Sequence, residues 1–365
     1  MIKKLKLFML NVAAGANIAV IVLMLLSGYS DHVAPSSFPH LSWLGLAFPA
    51  FLLLNLLFVF FWILVRWRRL WIPIVGYTLA YVPITIYLPL NAQQDLPDGT
   101  IKVLSFNVAC YSGNGVYHEH EGFDTVYSYL ARQQADIVCL QEDNDTWRRF
   151  VMHRYGKIYP YNDTTVFCKD QAFNGVGIHT RFPILRKERI WYESRANGSV
   201  AYFLQVGRDT VLVINNHLEF SNINQDDRAN YRRMIRGKMS RDTARTESVL
   251  LIEKLAQASV TRSRQAEAVH RYIEAHQHLP IIVCGDFNDS PISYAHRKIG
   301  EGLTDCFVAS GRGLGLSYFQ KGFYFRIDHI FCSKHFQPYN CMIDDKTDVS
   351  DHYPVVCWLK MSDKP

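Results

Sequence analysis

The sequence predicts an α/β catalytic domain built on mixed sheets and carried behind three transmembrane helices. Three observations carry that reading. Apolar residues crowd the first 96 positions into three long runs, short β-branched runs alternate with helix-like segments after Pro97, and two of those runs are joined as a hairpin.

From the N-terminus, the apolar runs are Leu5–Leu26, Leu41–Val65 and Leu70–Leu90. Each reaches the roughly 20 residues that a helix needs to cross a hydrocarbon core about 30 Å thick. A cleaved leader is the rival for the first run, because Lys3, Lys4 and Lys6 precede it. At about 22 residues, however, the run exceeds the apolar stretch of such leaders, roughly 7–15 residues, and no small-x-small site follows it cleanly.

Lys3, Lys4 and Lys6 flank the first run, and Arg66, Arg68 and Arg69 fill the loop after the second, whereas Gly28–His40 and Asn91–Ile101 carry neither Lys nor Arg. The positive-inside rule therefore puts the N-terminus in the cytoplasm, and three crossings put everything after Leu90 on the exterior side. The predicted organisation is a membrane anchor over residues 1–96 and a catalytic domain over 97–365.

Charge composition limits the second domain. The chain has 39 basic and 33 acidic residues, and setting aside the six basic and two acidic residues of 1–96 leaves a net charge near +2. This excludes a polybasic nucleic-acid binder by composition. The eight cysteines all fall in this domain without regular pair spacing, as in DIVCLQE (Cys139) and IIVCGDFND (Cys284). Such cysteines read as small buried hydrophobes rather than as a metal knuckle or disulfide framework.

After the turn-rich linker NAQQDLPDGT, strands are predicted at IKVLSFNV, DIVCLQE, VGIHT, VAYFLQV, TVLVINNHL, IIVCGDFN, FRIDHIF and YPVVCWL. VAYFLQV and TVLVINN are separated by GRD, which predicts a hairpin. Helices are expected at FDTVYSYLARQQ and from Thr243 to His276.

Five of these strand ends finish in the same chemistry. Asn107 follows VLSF, Glu142 follows VCLQ, His217 follows VINN, Asp286 and Asn288 follow IIVCG, and Asp351 with His352 precede YPVV. Carboxylates, amides and imidazoles gathered at one sheet edge describe a site for a hard, oxygen-loving cation such as Mg²⁺, with Mn²⁺ as the alternative. Phosphoester hydrolysis suits such a site.

The ordered set SFN (105–107), LQE (140–142), GVGIHTRFPI (175–184), NNHLE (215–219), GDFND (285–289), RIDHI (326–330) and SDHYPV (350–355) resembles the motif series of the endonuclease/exonuclease/phosphatase (DNase I-like) superfamily. The resemblance spans nearly the whole second domain. It implies a four-layer α/β sandwich, two mixed sheets face to face with helices outside. It also implies Glu142 as principal metal ligand aided by Asn107, Asp351 beside the metal or behind its ligands, Asp286 orienting or deprotonating the attacking water, and Asn288 holding that water or a phosphoryl oxygen. His217 and His352 would donate to the scissile phosphate, with Asp328 orienting His352. Either Asp286 or His352 could serve as the base at this stage.

Two departures narrow the analogy. Many family nucleases carry an acidic ligand two residues after the Asn, where this chain has Ala109, and the CDRI pattern of inositol-polyphosphate 5-phosphatases is replaced by YFRIDHI.

The substrate is expected to be a phosphodiester, either in nucleic acid or in a lipid headgroup. Arg228, Arg232 and Arg236 share a helix face at i, i+4 spacing and would grip a backbone phosphate or an anionic headgroup, against the bland reading of a solvated face balanced by Asp226, Asp227 and Asp242. The aromatic stretch LSYFQKGFYF (316–325) suits a hydrophobic rim, a base-stacking platform or a core strand pair. A third reading, a non-catalytic membrane-bound adaptor, requires that substitution of Glu142 leave no phenotype.

Overall fold

The computed structural model describes residues 1–112, 119–143, 156–167, 175–221, 223–320, 323–347 and 349–362. Cys168, and Lys321 and Gly322 of the aromatic stretch, lie outside the described residues.

The N-terminal region folds into α1 (Ile2–Gly28), α2 (Leu44–Arg66), α3 (Trp71–Leu79) and α4 (Tyr81–Tyr87). Two helices are long and apolar enough to cross a membrane, the first over Ile2–Gly28 and the second within Pro39–Arg69. The third expected span does not form as one helix. Its run breaks at Ala80 (φ −90°, ψ 11°) into pieces of nine and seven residues. Pro83 is the cause: it has no N–H for the Leu79 carbonyl, and its ring crowds that carbonyl. The freed Leu79 oxygen instead accepts the Tyr29 hydroxyl at 2.8 Å.

The second region begins with β1 (Ile101–Asn107), α5 (Glu119–Gln133), β2 (Ile137–Asp143), β3 (Tyr161–Val166), β4 (Gly175–Thr180), β5 (Ile184–Ile190), β6 (Gly198–Val206) and β7 (Asp209–His217). It continues with α6 (Gln225–Ile235), α7 (Arg241–Ala275), β8 (Ile281–Asp286), α8 (Tyr294–Gly300), β9 (Thr304–Asp305) and α9 (Cys306–Ser310). The chain ends in β10 (Tyr318–Gln320), β11 (Phe323–Phe325), β12 (Asp328–Cys332), β13 (Phe336–Ile343) and β14 (Val355–Met361).

Two six-stranded sheets result, in the orders β13-β14-β1-β2-β4-β3 and β5-β6-β7-β8-β12-β9. Both are mixed: β1–β2 and β7–β8 pair in parallel and the remaining pairs are antiparallel. The predicted hairpin is β6–β7, turning between Val206 and Asp209 through Gly207 at φ +60°.

Alternation along the strands sorts the core into layers. On β1, Val103 faces the space between the sheets, with Ile178, Val213 and Cys284, while Leu104 and Phe106 face outward onto Val126 and Leu130 of α5. On the other sheet, Leu212, Ile214 and Val283 pack outward against Ala266, Val269 and Ile273 of α7. Helices therefore flank two stacked sheets. Six of the described cysteines are buried, and among the described residues no disulfide joins any of them.

The N-terminal helices meet this sandwich directly. A Cβ at Gly45, in the first turn of α2, would collide with the Ile292 carbonyl oxygen. Arg326, the first residue of the motif-bearing connection between β11 and β12, donates to the Ile86 carbonyl at the end of α4 and to Leu314 O at 3.1 Å. That guanidinium satisfies a carbonyl that a helix C-terminus leaves without an intrahelical partner.

Candidate active site

Register explains how remote residues converge. In the second sheet, His217 pairs with Asp286 across β7–β8, and Asp286 pairs with Asp328 across β8–β12, so three chemically active residues occupy one rung. In the first sheet, Asn107 sits opposite Gln141 at the ends of β1 and β2. The same ends of both sheets open onto a cavity of about 770 Å³, lined by Glu142, His217, Asp286, Asn288, Asp351 and His352 among others.

A break in register aims Glu142. The β2–β4 ladder shifts between Gln141 and Asp143, leaving Glu142 as the extra residue, at φ +53°. Such a bulge turns a side chain out of the pleat, and the left-handed backbone at a Glu is stored strain of the kind found at functional sites. Asn288 also stands at φ +51°, which Asn tolerates more readily.

Asn107 links the two sheets. Its Nδ2 donates to Glu142 Oε1 at 3.2 Å and to Asp286 Oδ2 at 3.0 Å, while its Oδ1 accepts the Ala109 N–H at 3.0 Å. The amide thus presents its donor, rather than its oxygen, to the carboxylates. Asp286 Oδ1 also accepts the Asn288 N–H at 2.7 Å, and Asn288 Nδ2 lies 3.3 Å from Asp286 Oδ2 and 3.0 Å from Leu218 O.

The imidazoles stand on either side of Asp286, the Nε2 atoms of His217 and His352 each 3.8 Å from its Oδ2. His352 Nδ1 lies 2.8 Å from Asp328 Oδ2. Ser317 Oγ accepts the Asp328 N–H at 3.1 Å, and Ser350 Oγ accepts the His352 N–H at 3.1 Å while donating to Asn107 O at 2.7 Å.

These surroundings separate the protonation states. Burial, with the His352 charge adding, lowers His217 to about 3 and keeps it neutral. Burial alone would lower His352 too, but the carboxylates of Asp328 and then Asp286 outweigh it and raise it to about 10. Burial, reinforced by Asp328, raises Asp286 to about 7. Burial also raises Glu142, partly opposed by the Asn107 hydrogen bond and the His352 charge. The site therefore holds one neutral imidazole, one imidazolium and a carboxyl group poised near neutrality.

The donor set fits a hard divalent cation. Glu142 and Asp351 both line the cavity and both press negative charge on the Cys110 thiol, pushing its ionisation up in addition to burial. Glu142 is further raised by Asp351 itself. Carboxylate charge accumulated this way is what a bound cation relieves, and oxygen donors suit Mg²⁺ or Mn²⁺. Among the described residues, Asp286, Asp328 and His352 also approach closely enough to share an ion, but the Asp328–His352 hydrogen bond already engages two of the three.

All eight expected catalytic and metal-binding residues are thus brought to one cavity or to its immediate backing. The basic face fares differently. Arg228 lines the cavity, with its guanidinium 5.9 Å from the Tyr318 ring centre, but Arg232 and Arg236 do not line it. The flagged aromatic stretch does reach the site, the Tyr318 ring meeting His352 edge-on at 4.9 Å, but sequence reasoning gave no role to Ser317 or Ser350 and missed Trp43, Leu46 and Ala47 of the second helix region. It also missed Asn215, which ties the sheets together behind Glu142 by accepting from Gln141 Nε2 at 2.7 Å and donating to Leu140 O at 2.9 Å.

Comparison with known proteins bears on the family and the fold. The pattern of the Endonuclease/Exonuclease/phosphatase family matches residues 104–352, and that of a domain of unknown function matches residues 6–87. No curated protein matches the chain. The human Nocturnin catalytic domain with bound sulfate anion aligns with a TM-score of 0.52 at 17% identity, covering 75% of this chain and 97% of that one. D. rerio TDP2 complexed with single strand DNA product aligns with a TM-score of 0.51 at 18% identity, covering 72% and 100%. ANGEL2, a 2',3'-cyclic phosphatase, in complex with adenosine-2',3'-vanadate aligns with a TM-score of 0.51 at 13% identity, covering 72% and 96%. At these identities the likeness is one of fold.

Proposed function

Since the chain belongs to the endonuclease/exonuclease/phosphatase family, with residues 104–352 matching it, we propose that it is a divalent-metal-dependent phosphodiesterase held in a membrane by its N-terminal helices. The observation that carries the reading is the rung His217–Asp286–Asp328, completed by His352 and faced by Glu142 across a single cavity.

Glu142 would hold the cation, with Asp351 supporting it, and the cation when bound would neutralise charge on the phosphoryl oxygens and the leaving oxygen. The chain's own groups perform the rest. Neutral His217 and the imidazolium of His352 donate hydrogen bonds to phosphoryl oxygens and stabilise the charge that grows there. Asp328 keeps His352 protonated and turns its Nε2 toward Asp286. Asp286, lifted toward neutrality and oriented by the Asn107 amide and the Asn288 N–H, accepts the proton of the attacking water. The Asp328 carboxylate that holds His352 charged supports Asp286 rather than His352 as this base.

The membrane reading rests on the apolar helices and on which end of them the catalytic domain occupies. Apolar side chains of α1 and α2 stand outward, among them Phe8 and Leu64, the latter 84% exposed. The catalytic domain packs against residues 29–47, the connection after α1 together with the first turn of α2, a stretch that lacks Lys and Arg. Arg69, at the other end, donates to Leu10 O near the basic N-terminus. By the positive-inside rule this supports an exterior catalytic domain, with the broken α3–α4 pair returning the chain across the bilayer. A broken helix is tolerated there because Tyr29 occupies the carbonyl that Pro83 frees.

The test is hydrolysis of bis-p-nitrophenyl phosphate by the purified full chain. Activity that requires Mg²⁺ or Mn²⁺, stops with EDTA and is lost in Glu142→Gln and His352→Ala is the expected result. A folded, metal-supplied protein without activity on this ester would count against the reading.

A further inference from the structure

The catalytic cavity is two-faced. Around Glu142, Asp286 and His352 it is polar, but it continues into an apolar half formed by Trp43 and Leu46 of the second helix region, Met234 of α6, Leu251 and Leu255 of α7, and Phe323. No step of the proposed hydrolysis uses these side chains. A volume of about 770 Å³ is in the range of pockets that enclose whole small molecules, roughly 300–1,000 Å³, and is far more than a phosphate and a water require.

The placement of this apolar half is informative. Trp43 and Leu46 stand at the start of α2, the second apolar helix, so the cavity opens where a bilayer surface would meet the catalytic domain. Apolar side chains continue outward from it along the same helices. Ile235 is 65% exposed, Val249 49% and Leu250 47%. Apolar residues left in the open beside a membrane helix are positioned to enter the lipid interface.

Charge argues the same way. A groove for a nucleic-acid strand presents a row of cations to successive phosphates, together with open aromatic faces. Two arginines line this cavity, Arg228 and Arg262, and Arg262 is engaged by Asp289 at 3.0 Å. Among the aromatic residues, Phe323 packs on Tyr231 with ring centres 4.8 Å apart, and Tyr318 is turned edge-on to His352. One cation suits one phosphate.

We propose that the substrate is an amphiphilic phosphodiester drawn from the bilayer, its phosphate between His217, His352 and Arg228 and its hydrocarbon chain in the apolar half of the cavity. This rests on the phosphodiesterase reading and specifies its substrate class. The reaction balances with water alone: the water oxygen bonds to phosphorus, one ester P–O bond breaks, and the departing alcohol carries a proton.

The experiment compares kcat/KM of the full chain in detergent for p-nitrophenyl alkyl phosphates from methyl to dodecyl, with thymidine 5'-p-nitrophenyl phosphate as the nucleotide arm. Each buried methylene gains up to about fourfold, so at least about a tenfold rise from ethyl to dodecyl is expected. Leu255→Gln should flatten that rise, and Leu251→Trp should move the optimum to shorter chains, with thermal melting verifying that both variants fold. A rise that survives both variants would come from partition into detergent and would overturn the proposal, as would preference for the thymidine ester. Hydrolysis of the methyl ester without chain-length dependence would overturn the amphiphile alone and leave the hydrolase standing. Hydrolysis of none of the esters would overturn both.

Discussion

Asp328 opens β12 of the second sheet and His352 lies three residues before β14 of the first, yet His352 Nδ1 lies 2.8 Å from Asp328 Oδ2 with both side chains buried. This contact joins the open ends of the two sheets and fixes the charge and direction of the imidazole together. Asp328→Asn keeps the shape but removes the larger of the carboxylate charges that outweigh burial, so the charged form of His352 is weakened and its preferred tautomer is lost. We expect kcat to fall by roughly 10²–10⁴ with little change in KM, read on bis-p-nitrophenyl phosphate. An unchanged kcat would show that the imidazolium takes no part in the transition state.

Cation binding should depend unequally on the two carboxylates. Glu142 is turned out by the bulge and hydrogen-bonded by Asn107, whereas Asp351 Oδ2 is also engaged by Gln320 Nε2 at 3.1 Å. Calorimetric titration with Mn²⁺ should find binding lost in Glu142→Ala and weakened roughly 10–100-fold in Asp351→Asn, the range for groups that support a ligand rather than dominate it. Equal loss in both variants would make Asp351 a full ligand.

How much of this was legible in the sequence depended on where a strand lies. The eight predicted strands include all the central ones, β1, β2, β4, β6, β7, β8, β12 and β14, whose apolar residues on both faces leave a β-branched run. The missed strands lie at sheet edges, while the β10–β11 ribbon falls in LSYFQKGFYF, for which a strand pair is one of the readings. YNDTTV of β3 and ILRKERI of β5 are polar because an edge must discourage further pairing, and that polarity erases the strand signal. Likewise the catalytic residues were readable because each lies at, or within a few residues of, one end of a central strand. Ser317, Ser350 and the Trp43–Ala47 wall are brought in by long-range packing and left no local pattern. The third apolar run misled because composition alone does not register that Pro83 interrupts the helix.

The helical region has a polar node of its own. Asn17 Nδ2 donates to Asn55 Oδ1 at 2.9 Å, Trp62 Nε1 donates to Asn17 Oδ1 at 3.0 Å, and Asn55 Nδ2 donates to Pro73 O at 3.1 Å, so one buried cluster ties α1, α2 and α3. Asn17→Leu strands an acceptor on Asn55 and the indole N–H, at a cost of about 1–2 kcal/mol in an apolar surround. The full chain in detergent should melt a few degrees lower. The Asn17→Leu/Asn55→Leu double variant should lose less than the sum of its parts, since the pair shares one bond. Additive losses would show that the two residues act separately.

Acid should act on the seam between anchor and sandwich through Asp305. Its Oδ1 caps α9, accepting the N–H groups of Phe307 at 2.8 Å and Val308 at 3.0 Å, and its Oδ2 lies 2.9 Å from His296 Nε2. Burial opposes the charge of this carboxylate, but the His296 hydrogen bond and charge, with Arg326 and His329, prevail and hold it well below the usual carboxylate range. A folded-state value below the unfolded one means that stability is fully present above about pH 4 and is lost as the pH falls from there toward the folded value. Asp305→Asn retains a capping oxygen but has no charge to lose. Its melting temperature should therefore lie below that of the parent chain at pH 6, and the gap should narrow, without closing, as the pH is taken from about 4 to 3. A gap that stays constant across that range would assign the contribution of Asp305 to the helix cap alone and none of it to its ionised partners.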